Sequence, residues 1–112
     1  MSDAAVLDRL YQIIEQRKQT ATAQTSYVKS LMDQGVGKIS AKVTEEAAEV
    51  VQAAGQGDVQ NLTHEAADLI FHLWVLMSRQ GVKPPEIYAE LERRFGTSGH
   101  AEKASRPAGG PS

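Results

Sequence analysis

Apolar residues along this chain recur at intervals of three and four, and no stretch of useful length alternates with period two. The pattern therefore predicts an all-α protein with no sheet. Val6, Leu7, Leu10, Ile13 and Ile14 form the first helical stripe, opened by an Asp3 cap. Residues Thr20 to Thr25, β-branched and polar, read as a loop, and Ser26 to Gln34 as a short helix stopped at Gly35. The next helix is expected from Lys38 to Ala54, with Ile39, Val43, Ala47, Val50, Val51 and Ala54 on one side, before a break at Gly55-Gln56-Gly57-Asp58. Asp58 then caps a long helix to Gln80, which Gly81 ends. Pro84 and Pro85 suit the first turn of a last helix, Glu86 to Phe95, because amides there lack partners anyway. These helices make one domain over residues 1–95. From Gly96 onward Gly, Ser, Ala and Pro with scattered charges cannot build a core, so residues 96–112 are expected to be a disordered tail.

The long helix carries an unusual distribution. Leu62, Ala66, Leu69, Ile70, Leu73, Leu76 and Met77 cover one broad side, and Ala67, Phe71, Trp74 and Val75 most of the rest. Its polar strip, about 60° wide at roughly 100° per residue, holds Asn61, Glu65, Asp68, His72 and Arg79. A helix apolar nearly all round must be buried on more than one side, which one small chain of short helices can hardly achieve. An antiparallel helical bundle completed by homodimerisation is the expected assembly.

Two acidic pairs, Glu46-x-x-Glu49 and Glu65-x-x-Asp68, sit on the two helices flanking the break. Residues three apart share a helix face, and a short turn makes the helices antiparallel neighbours, so the pairs can face each other. Four carboxylates in one place repel unless cations lie between them. The competing reading is a solvated surface. It is weakened by the apolar surroundings of Glu65 and Asp68, and by the crowding of Glu45, Glu46 and Glu49 in one turn, which costs a few tenths of a kcal/mol per pair.

Composition narrows the chemistry. Cysteine is absent, so any metal is held by oxygen or imidazole. All-oxygen donors select hard cations, with Mg²⁺ the default and Mn²⁺ an acceptable substitute. A di-iron bundle needs Glu-x-x-His on two helices, which is missing. Mg²⁺ among carboxylates suits phosphoanhydride hydrolysis, in which Glu45 is the candidate base, with Glu46 beside it; a solvent-facing Glu45 is the alternative. Lys38 and Lys42 are candidates for holding substrate phosphates, against a plainer role as ion-pair partners of the glutamates. His72 reads either as a substrate contact or as a satisfied core histidine, and Tyr27 as a residue able to stack on a base. A net charge of −2 argues against a nucleic-acid binder. With no signal-like start and no long apolar run, no membrane association is expected and a cytoplasmic location is.

These residues resemble the signature of the MazG-type all-α nucleoside triphosphate pyrophosphohydrolases. The flanking sequence is similar to one family among them, the phosphoribosyl-ATP pyrophosphohydrolases of histidine biosynthesis. The likeness runs through SYVKSLMDQGVGKISAKVTEEAAEVVQAA at 26–54, HEAADLIFHLWVLM at 64–77 and GVKPPEIYAELERR at 81–94. It implies Mg²⁺-dependent hydrolysis of phosphoribosyl-ATP between its α and β phosphates, giving phosphoribosyl-AMP and pyrophosphate. It further implies a homodimer with an interlocked four-helix-type core, and metal-ligand roles for Glu46, Glu49, Glu65 and Asp68 with Glu45 close by. Thr44 stands where such sequences often have Gly. Some relatives fuse this domain to a cyclohydrolase; its absence here implies a stand-alone enzyme. Two alternatives remain: a house-cleaning MazG-type enzyme acting on dNTPs or modified nucleotides, and a dimeric helical interaction module without catalysis.

Overall fold

The computed structural model describes residues 2–106, which are helical with connecting turns and contain no strand. The helices are α1 (Ala5–Thr20), α2 (Tyr27–Gln34), α3 (Val36–Gln56), α4 (Val59–Gln80), α5 (Pro84–Arg93) and α6 (Gly99–Ser105). Local chemistry sets most of the boundaries. Ser26 Oγ accepts the Lys29 amide at 3.2 Å to open α2, and Asp58 Oδ1 accepts the Asn61 amide at 3.1 Å to open α4. Gly57 (φ 71°) and Gly81 (φ 76°) end α3 and α4 in the left-handed region. At Gly81 the chain closes a Schellman motif, with Val82 N donating to Met77 O at 2.9 Å and Gly81 N to Ser78 O at 3.2 Å.

Four expectations are corrected. Helix α3 starts at Val36 and runs through Gly55 to Gln56, because a lone helical glycine costs only about 1 kcal/mol against alanine. Helix α5 begins at Pro84 itself and ends at Arg93, two residues short of Phe95; the Glu86 carboxylate accepts the Lys83 amide at 2.8 Å. Asp3 Oδ1 does bond the Ala5 amide, at 2.9 Å, but Ala4 stands at the cap position. Finally, part of the presumed tail is folded. Helix α6 is capped by Ser98 Oγ, which accepts the Ala101 amide at 3.0 Å, and buries Glu102 among Arg93, Arg94 and Arg106. The last six residues, 107–112, lie outside the described residues.

The core lies where α1 and α2 cross the start of α3 and the end of α4. Ile14, Leu31, Ile39 and Val75 are fully enclosed there, with Tyr11, Val28, Met32 and Trp74 around them. Polar tips in this core are satisfied. Trp74 Nε1 donates to Leu7 O at 2.9 Å and Tyr11 Oη to Val82 O at 2.9 Å, tying α1 to α4 and to the start of α5. Of the stripe expected on α3, only Ile39 is buried within the chain; Val51 is 73% exposed, and Ala53 rather than Ala54 turns inward. The Cα radius of gyration, 16.0 Å, exceeds the value of about 13 Å for a compact domain of this size. Val51 and Val59, both mostly exposed, mark the part of the α3–α4 hairpin that α1 and α2 do not cover.

Candidate active site

The turn at Gly57-Asp58 folds α4 back along α3, and these two helices share the most extensive pairing in the chain. Glu46 and Glu49 on α3 face Glu65 and Asp68 on α4. Glu49 is the hinge of the group, close enough to raise the pKa of both Glu46 and Glu65, while the Asp68 charge reaches Glu46. Glu46 is only 6% exposed, and its Oε2 has no hydrogen-bond partner; Glu65 Oε2 is likewise buried and unpartnered. Burial, then the Glu49 carboxylate beside it and the Asp68 charge, push the Glu46 carboxyl above the usual range, with His72 opposing. For Glu65 the neighbouring Glu49 carboxylate is the main cause, with burial second.

Buried carboxylate oxygens without donors are costly in a folded protein. Here they come with an all-oxygen donor set from two helices. A hard divalent cation satisfies both conditions, since it supplies positive charge to acceptor-only groups and retains water positions for a ligand. Glu46, Glu49, Glu65 and Asp68 could hold it. A cavity of about 320 Å³ lined by Glu49, Gln52, Ala53, Gln56, Asn61 and Glu65 opens beside them.

The remaining candidates separate. Glu45 is exposed, with Oε2 3.3 Å from Lys42 Nζ, yet one of its oxygens lies within 4.8 Å of oxygens from Glu46 and Glu49. Lys42 bridges this cluster, 3.9 Å from Glu46 Oε1. Its hydrogen bond to Glu45 holds the ammonium above its ordinary pKa, with the nearby Tyr27 adding to the effect. Lys38 is exposed and forms no ion pair among the described residues. His72 is buried with both nitrogens engaged: Nδ1 lies 2.8 Å from Asp68 O and Nε2 2.9 Å from Tyr27 Oη. A carbonyl only accepts, so Nδ1 carries the proton and the Tyr27 hydroxyl donates to Nε2. Both ring nitrogens are satisfied.

One residue escaped the sequence reading. His64 Nε2 lies 3.4 Å from Asp68 Oδ2, and His64, Glu65 and Asp68 bring ligand atoms within 4.8 Å of one another. The signal was its position four residues before Asp68, on the same helix face.

The geometry describes an all-helical protein with a carboxylate cluster, able to hold a cation, between two antiparallel helices. Residues 7–95 match the profile of the family described as phosphoribosyl-ATP pyrophosphohydrolase. The phosphoribosyl-ATP pyrophosphatase of Geobacter metallireducens is 51% identical over 102 residues, covering 91% of this chain and 93% of the relative. The protein of the same name from Rhizorhabdus wittichii is 52% identical over 103 residues, covering 92% and 96%. That of Geobacter sulfurreducens is 48% identical over 101 residues, covering 90% and 93%. The chain belongs to the phosphoribosyl-ATP pyrophosphohydrolase family.

Proposed function

We propose that this chain hydrolyses phosphoribosyl-ATP to phosphoribosyl-AMP and pyrophosphate, the second step of histidine biosynthesis. The relatives' shared name gives the substrate. The observation that carries the chemistry is the convergence of Glu46, Glu49, Glu65 and Asp68, two of them with buried, unpartnered oxygens. These four would hold Mg²⁺, or Mn²⁺ in its place, which when bound neutralises phosphate charge and lowers the pKa of a water. Glu45, at the edge of the cluster, would take that water's proton. The water oxygen bonds to the α phosphorus, the bond from that phosphorus to the bridging oxygen breaks, and pyrophosphate leaves. Lys42 offers a point charge to the phosphates, and Lys38, one turn earlier and unpaired, can join it.

The active form in this reading is a homodimer. Val51 and Val59 are 73% and 75% exposed, Ile70 on α4 is also exposed, and the broad apolar side of α4 is only half-buried within one chain. A second copy laid on the hairpin would cover these positions and enclose the acidic cluster. No helix among the described residues is long and apolar enough to cross a membrane, which accords with action in the cytoplasm.

The test is to incubate purified protein with Mg²⁺ and, separately, phosphoribosyl-ATP, ATP and each dNTP. Pyrophosphate release from phosphoribosyl-ATP far faster than from the others is expected. Fast turnover of a dNTP with phosphoribosyl-ATP untouched would make the chain a house-cleaning enzyme instead.

A further inference from the structure

Tyr27 opens α2 and leaves 51% of its surface exposed, yet its ring is fixed by three contacts. Its hydroxyl donates to His72 Nε2 at 2.9 Å. The ring stacks on Phe71, with centroids 6.0 Å apart and planes at 17°, and meets the His72 ring edge-on at 5.7 Å and 83°. Phe71 and His72 are themselves locked T-shaped at 5.1 Å. An exposed tyrosine with no task would be free to change rotamer. This one is held in place by a buried histidine that grips the backbone of Asp68, one of the clustered carboxylates. The core does not need the Tyr27 ring, since Val28, Leu31 and Met32 already anchor α2. About half of Tyr27 remains open to solvent, and Lys42, the candidate cation for phosphate, lies within electrostatic reach of it.

We propose that Tyr27, braced by Phe71 and His72, is the stacking platform for the purine ring of the nucleotide, with its phosphates directed toward Lys42 and the acidic cluster. The proposal rests on the nucleotide reading above and deepens it by assigning base recognition. Stacking needs a flat, immobile π-face and little else, and it tolerates any base because every base presents one. The Tyr27 hydroxyl is committed to His72, so recognition here comes from the ring's face and not from a hydrogen bond to the base.

The test compares binding of ATP and of inorganic tripolyphosphate, each with Ca²⁺ in place of Mg²⁺ to suppress turnover, by equilibrium dialysis. In the wild type ATP binds tighter than tripolyphosphate. Tyr27→Leu weakens ATP about 5- to 150-fold, the range for a base–aromatic stack, and leaves tripolyphosphate unchanged. Tyr27→Phe retains the ATP preference because the ring remains. An unchanged ATP affinity in Tyr27→Leu overturns the proposal, as does equal loss of both ligands, or a Tyr27→Phe variant as impaired as Tyr27→Leu. Should Tyr27→Leu fail to fold, the wild type decides by NMR. Tyr27 ring protons, identified by their loss in Tyr27→Phe, shift on adding ATP and not tripolyphosphate; no shift overturns it. A protein that binds ATP through Tyr27 but releases no pyrophosphate from phosphoribosyl-ATP would refute the proposed reaction and leave this assignment standing.

Discussion

At one end of the α3–α4 hairpin, Ile39 and Val75 are wholly enclosed by α1 and α2; at the other, Val51 and Val59 stand about three-quarters exposed. The closed end also satisfies its polar groups. Ser78 Oγ donates to the Glu15 carboxylate, which Lys18 Nζ approaches at 3.0 Å, and Lys18 also bonds Ser78 O at 3.2 Å. The open half does the reverse, gathering carboxylates whose buried oxygens find no donor. The packed core and the candidate site therefore occupy different stretches of the same two helices. One stretch is finished by its own chain. The other is left with a charge deficit and an uncovered apolar surface, and both point to something bound from outside.

Two substitutions should pull the halves apart. Glu49→Ala removes the carboxylate that raises the pKa of both Glu46 and Glu65. Pyrophosphate release should fall by more than the roughly 10–100-fold that follows loss of an outer partner of a metal ligand. The metal-free melting temperature should stay level or rise, because a like charge is gone. An equally active Glu49→Ala protein would remove the site from the hairpin. Ile14→Ala at the closed end should do the opposite, costing about 2–5 kcal/mol in denaturant unfolding while the folded fraction keeps its kcat. If kcat fell with stability intact, the separation of roles would be lost.

How much of this was legible beforehand depends on the range of the interactions involved. Ser26, Asp58 and Gly81 act on backbone groups within a few residues, so the helix boundaries they set could be read directly. The acidic pairs were equally visible, because three-residue spacing and one turn are local facts. Gly55 misled, since a glycine marks a break only where the chain needs a positive φ, and here Gly57 met that need. The closing segment was misread for a different reason. Its composition is that of a tail, but Arg93 and Arg94, a few residues back, give Glu102 an ionic partner that composition does not register. The Tyr27–His72 bond spans 45 residues and needs α2 laid across α4, which no periodicity announces.

Protons and Mg²⁺ should distinguish the two halves next. Glu46 and Glu65 have folded-state pKa values above the ordinary 4.5, so between that value and the raised ones the folded chain binds more protons than the unfolded one. Their effect on stability is therefore adverse at neutral pH and relieved as pH falls through the raised values. Glu15 has the opposite sign. Burial pushes it up, but hydrogen bonds from Ser78 and Lys18 and the Lys18 charge outweigh burial and hold it low, so its contribution persists until pH drops below 4.5. Without metal, Glu46→Gln should melt above the wild type at about pH 7.5, and the gap should narrow as pH falls through the raised Glu46 value toward 4.5. Mg²⁺ at about 100 times its Kd should add about 2.7 kcal/mol to the wild type and much less to Glu46→Gln. A wild type indifferent to Mg²⁺ would return the acidic strip to solvated surface.

The uncovered apolar surface has its own, smaller test. Val51→Glu places a charge on the exposed face of α3 without touching the enclosed core. Sedimentation should show a dimeric wild type and a variant shifted toward monomer, with helicity by circular dichroism little changed. A monomeric wild type would mean that the hairpin's apolar side is simply tolerated.

The smallest effect is expected at α6. Arg93 Nη2 and Glu102 Oε1 are 2.6 Å apart, with Arg106 Nε at 3.5 Å and Arg94 Nε at 3.7 Å from the same oxygen. The Arg93 hydrogen bond holds the Glu102 carboxyl below its usual range, so the contact persists through mildly acid pH and is lost only as pH falls past that lowered value. Among the described residues, none of these ion pairs reaches α3 or the acidic residues. Glu102→Gln should therefore leave kcat, KM and the Mg²⁺ response unchanged and move the melting temperature little. It should, however, free α6 to open locally, and Lys103 within it is exposed to trypsin. Faster cleavage at Lys103, with activity intact, is the expected result. Unchanged cleavage would mean that the Ser98 cap alone holds the helix, whereas a fall in kcat would tie α6 to the catalytic half and redraw the boundary between the two regions.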